Sequence, residues 1–113
     1  MSALPKQALR SAKAQADIED ALDYYRGEAP HMVGDFVDAL ELAITHIQRA
    51  PGTGSPRYAH ELGMPGLRFW SLRKFPYSLF YLEHEDHLLV IRLVHMSRDI
   101  PGSLQASGAA ADN

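Results

Sequence analysis

The sequence predicts an α+β domain of order (β)-α-α-β-β-β, with a helical hairpin packed on one face of a mostly antiparallel sheet. Three observations lead there. Apolar residues recur with a helical period in two successive stretches between Ala14 and Ile47. From Leu67 the period changes to two, in three runs separated by turn residues. The two helices are consecutive and so are the three strands, which segregates the helices from the sheet.

Taken in order, residues 6–10 (KQALR) are assigned a short first strand, although their alternation is poor. Ala14, Ile18, Ala21, Leu22 and Tyr25 then form one helical stripe. Asp17, Glu19, Asp20 and Asp23 fall off it and are expected in solvent. Gly27 and Pro30 are expected to break this helix. Val33, Phe36, Val37, Leu40, Ile44 and Ile47 form a second stripe, which ends before Pro51 and Gly52. The pair reads as an αα-hairpin. Residues 51–66 (PGTGSPRYAHELGMPG) read as a loop. Residues 67–73, 76–84 and 88–96 are the three later strands, with Glu85-Asp86-His87 as a polar hairpin turn. In the last strand Leu89, Ile91 and Leu93 are expected to face the helices. They should share one core with Ile18, Leu22, Phe36, Leu40 and Ile44. The domain is assigned to residues 1–101. Residues 102–113, small and polar, are expected to be a flexible tail.

A chain of 113 residues has room for one core and no second domain. The sequence has no cysteine, which excludes disulfides, thiolate metal sites and cysteine nucleophiles. The N-terminal stretch carries no apolar run of the signal-peptide kind, and no segment reaches the roughly 20 apolar residues of a membrane span. A cytoplasmic protein is expected. The net charge of −3 hides a division. Residues 17–49 carry eight acids against Arg26 and Arg49, whereas residues 57–98 carry six bases against four acids. A protein that grips nucleic acid through phosphates should show a clear basic excess, and this balance weakens that reading.

The residues offer little catalysis. None of the six histidines forms an H-x-x-x-H or H-E-x-x-H pair, so no metal is expected. No serine sits in a nucleophile elbow. The glycines of 51–66 do not carry a strand into a helix, so they make no phosphate loop. No cofactor is expected. Phe69, Trp70, Tyr77, Phe80 and Tyr81 crowd two strands. They suit a core and a protein interface better than a base-stacking surface.

The order of elements, with ADIEDALDYY, Pro51-Gly52, Gly66-Leu67-Arg68, Phe75-Pro76-Tyr77, Phe80-Tyr81 and the run Val90 to Asp99, resembles the RelE/ParE toxin superfamily of type II toxin–antitoxin modules, on its ParE-like side. The resemblance covers residues 6–100. It implies a toxin that poisons DNA gyrase by binding it and is neutralised by a cognate antitoxin. The RelE-like branch, the alternative, cleaves messenger RNA on the ribosome with a set of cations and a tyrosine. Laid on this sequence, those positions become Phe69, Ser71, Ser78, Arg98 and Leu104, of which only the arginine is retained. Cleavage at a 2′-OH needs a base and cationic stabilisation of the phosphorane, so no catalytic residue is assigned. A divergent ribonuclease using Arg68, Arg73, Lys74 and Arg98, or a non-toxic member kept for interaction alone, remain the other readings. Candidate contacts to gyrase or antitoxin are Arg68, Arg73, Lys74, Arg92, His95 and Arg98. An antitoxin segment is expected in a groove beside the helical hairpin, touching Tyr24 and Ala43, or along a sheet edge.

Overall fold

The computed structural model describes residues 5–97, Gly102 and Leu104. Its elements are strand β1 (Gln7–Arg10), helix α1 (Ala12–Glu28), helix α2 (Val33–Arg49), and strands β2 (Arg68–Ser71), β3 (Tyr77–Glu83) and β4 (His87–His95). Single 3₁₀ turns follow each helix, at Pro30–Met32 and Pro51–Thr53. The sheet runs β1-β4-β3-β2, parallel between β1 and β4 and antiparallel elsewhere. This is the expected α+β architecture.

Ser11 explains where α1 begins. Its Oγ accepts from the Ala14 amide (3.0 Å) and donates to the Ile91 carbonyl (2.9 Å). One hydroxyl thus caps the helix and ties it to β4 just beyond the end of β1. Gly27 does not break α1. It lies exposed in the last turn, and the helix ends at Glu28 ahead of Pro30, which removes a donor.

Helices and sheet enclose a core of Ala14, Ile18, Ala21, Tyr25, Phe36, Ala39, Leu40, Ala43 and Ile47 against Leu72, Phe75, Leu79, Tyr81, Leu88, Val90 and Leu93. Leu22 and Ile44 pack on its margin. Ala43 is therefore a core residue, not a groove contact.

The face of β4 differs from the expectation. Phe80 pairs with Arg92 and Tyr81 with Val90, so Ile91 is an extra residue in the ladder. Such a bulge shifts the alternation by one. Leu88 and Val90 face the helices before it, and Leu93 faces them after it. Leu89 and Ile91 point to the opposite side.

That opposite side is also covered. Leu62, Leu67, Phe80, Ile91, Val94 and Leu104 form a second buried cluster, flanked by Tyr58, Phe69 and Leu89. The 51–66 loop lies over the sheet through successive turns, with Tyr58 O accepting from Leu62 N and Ala59 O from Met64 N. Leu104, placed by sequence in the tail, is fully buried here.

Candidate partner-binding surface

Arg73 and Lys74 stand exposed in the β2–β3 turn. The turn is closed by the Leu72 amide donating to the Tyr77 carbonyl (2.9 Å). Leu72 and Phe75 on either side are buried, and Phe75 meets Tyr25 and Phe36 edge-on at 5.4 Å between ring centres. The chain must reverse between two anchored residues, and Lys74 takes φ 69° to do it. That left-handed conformation is costly for a residue with a Cβ.

His95 ends β4 opposite Tyr77, with ring centres 5.1 Å apart. Its Nδ1 accepts from the Ser97 amide (3.1 Å) and contacts the Ser97 hydroxyl (2.7 Å). A backbone amide can only donate, so the ring proton sits on Nε2. The Met96 amide donates to the Pro76 carbonyl (2.8 Å), joining the end of β4 to the same turn. Arg73, Lys74 and His95 thus share one end of the sheet. Arg98, three residues further on, lies outside the described residues.

Arg68 and Arg92 are placed elsewhere. Arg68, at the start of β2, donates from Nη1 to the Gly54 carbonyl (2.7 Å) and holds the 51–66 loop to the sheet. Arg92 is 9% exposed. Its Nε and Nη2 reach Asp17 at 2.6 and 3.0 Å, and the Leu93 amide donates to the same carboxylate (3.0 Å). Arg92 is therefore a structural cation rather than a surface contact. Asp17, expected in solvent, is its counter-ion. β1 pairs only with residues 87–90 of β4, and Asp17 serves the edge amide that β1 does not reach.

On the second face, Phe69 packs on Phe80 (5.2 Å) and Tyr58 (5.8 Å). Ser71 and Ser78 hydrogen-bond to each other through their hydroxyls (2.8 Å). These positions, with Leu104, are apolar or internally paired.

Two surfaces border the helical hairpin. Met32, Asp35, Asp38 and Leu42 on one side and Arg73, Lys74 and Phe75 on the other line an open groove. Leu42 is 64% exposed there. Asp17, Asp20, Tyr24, Tyr77, Leu93 and His95 line a cleft between α1 and the ends of β3 and β4. Sequence reasoning missed Asp20 and Tyr77 as surface residues of one site. The i, i+4 spacing of Asp20 and Tyr24 was the available signal. Among the described residues no three His, Asp or Glu side chains converge as a metal site.

Burial pushes the Tyr81 hydroxyl above the ordinary phenol range, partly offset by a hydrogen bond with the Gly54 backbone and by Arg68. It therefore remains a donor, and it donates to the Pro51 carbonyl (2.6 Å). The His87 hydrogen bond lowers Asp86 at the hairpin tip.

Residues 9–100 match the family described as the ParE toxin of the type II toxin–antitoxin system parDE. The chain belongs to the ParE toxin family. No curated protein matches the sequence. A solved structure of a chromosomal ParDE toxin–antitoxin system from P. aeruginosa has the same fold at TM-score 0.66 and 20% identity. The match covers 82% of this ParE chain and 98% of that one. No helix among the described residues is long and apolar enough to cross a membrane.

Proposed function

We propose that this ParE-family chain is the toxin of a type II pair, that it acts by binding and poisoning DNA gyrase, and that a cognate antitoxin neutralises it in the cytoplasm. Membership of the ParE family over residues 9–100 carries the reading. The chemistry of the second sheet face supports it. RNA-cleaving relatives need cations there, and this chain offers Phe69, Ser71, Ser78 and Leu104, all four committed to packing or to each other. A toxin that works by binding needs no such set.

The test is a gyrase supercoiling assay with purified protein, run beside translation of a reporter message. Inhibited supercoiling with trapped cleavage complexes, relieved by the product of the adjacent antitoxin gene, is the expected result. Site-specific cleavage of the message on ribosomes, with gyrase unaffected, would replace this reading with the ribonuclease one.

A further inference from the structure

The cleft between α1 and the sheet end is lined by two carboxylates. Asp17, at its base, is satisfied by Arg92 and the Leu93 amide. Asp20, one turn along the same helix face, lines the cleft with no hydrogen-bond or ion-pair partner among the described residues. Tyr24, at i+4 from Asp20, is 58% exposed and stands beside it. Tyr77 from β3 supplies a second ring, and Leu93 an apolar wall. His95 uses Nδ1 to accept from Ser97. Arg92 is already bound to Asp17 at the base of the cleft. The result is an open cleft of about 230 Å³ with one solvent-exposed carboxylate, the exposed Tyr24 ring, and an edge of the Tyr77 ring, which itself packs on Tyr25, Phe36 and His95.

We infer that this cleft is a socket for an arginine side chain of the antitoxin. The inference rests on the toxin reading above for its partner, and on the cleft's own chemistry for its ligand. A cation is attracted to the face of a tyrosine ring and to a carboxylate together. Guanidinium suits the pair better than ammonium. It is planar, weakly hydrated, stacks on rings and meets a carboxylate through two parallel N–H donors. The helix that lines it favours a positive group, because α1 carries five acids against Lys13 and Arg26.

The ligand chemistry is tested without the antitoxin. N-acetyl-arginine amide is titrated into the protein to tens of millimolar while the ring resonances of Tyr24, Tyr77 and His95 are followed by NMR. Saturable shifts at these rings are expected, weakened at least threefold by Asp20→Asn and weaker for N-acetyl-lysine amide. N-acetyl-glutamine amide should give none. Absence of saturation, or equal shifts in Asp20→Asn, overturns the socket. The partner is tested by calorimetry with the adjacent gene's product, where Asp20→Asn and Tyr24→Ala should each weaken the complex about tenfold. Unchanged affinity in both, or self-association of the toxin that Asp20→Asn abolishes, overturns the assignment to the antitoxin. Failure of gyrase inhibition would remove the toxin reading while leaving the arginine titration to decide the socket.

Discussion

Asp17 accepts from Arg92 twice and from the Leu93 amide once. Removing one partner of a nearly buried pair leaves the other charge uncompensated, which costs about 3–5 kcal/mol. Asp17→Ala should therefore lower stability by about that amount in urea unfolding, and a loss under 1 kcal/mol would show the pair to be dispensable. Gly54 is a second sensitive position. A Cβ there would press on the Tyr81 hydroxyl and ring, which lie in the core and are held by Pro51. Overpacking of this kind costs about 1–3 kcal/mol, so Gly54→Ala should lower the melting temperature despite a backbone that alanine tolerates. Lys74 runs the other way. Its positive φ favours glycine, and Lys74→Gly should be neutral or stabilise by up to about 1 kcal/mol. The mutant melting curve checks it.

The bulge in β4 decides which side chains meet which core. Period-two reading put Leu89, Ile91 and Leu93 on one face, and only Leu93 is found there. A one-residue insertion in a ladder is a property of the pair β3–β4, not of either strand alone. Both faces are nevertheless buried, where the alternation predicted one. Leu40→Ala and Ile91→Ala should each cost about 2–5 kcal/mol, one from each core. A negligible loss at Ile91 would mean the loop over the second face packs loosely. The helices were easier to read. Ala14, Ile18, Ala21, Tyr25, Phe36, Leu40 and Ile47 of their stripes are buried, Leu22, Val33, Val37 and Ile44 are only partly so, and Ala39 and Ala43 are buried beside them.

Among the described residues, acids dominate the exposed helices, and two of the exposed bases, Arg73 and Lys74, lie together at one sheet end. Opposite charge on a partner mainly speeds encounter and fixes orientation. Arg73→Glu and Lys74→Glu together should slow antitoxin association roughly tenfold at low salt, with the difference shrinking as salt screens it. Stopped-flow mixing at two ionic strengths measures this. An unchanged rate constant would move the acidic contacts elsewhere. Arg68→Gln should act differently, loosening the loop through the lost Gly54 bond and showing first as reduced stability.

Local pattern was enough to establish the element order, the helical hairpin, the three consecutive strands and the likeness to the ParE family. The elements rest on residues within a few positions of one another, and the likeness rests on their order along residues 6–100. The candidate contacts were only partly legible. Arg73 and Lys74 were found as exposed bases, but charge alone could not separate them from Arg92 in its pair or Arg68 on its loop. The Asp17–Arg92 pair spans 75 residues, and the Asp20–Tyr77–His95 cleft joins a helix to two strand ends. Contacts of that range leave no period in the chain. They exist because α1 crosses the edge of β4 where β1 stops, and only the folded molecule specifies that meeting.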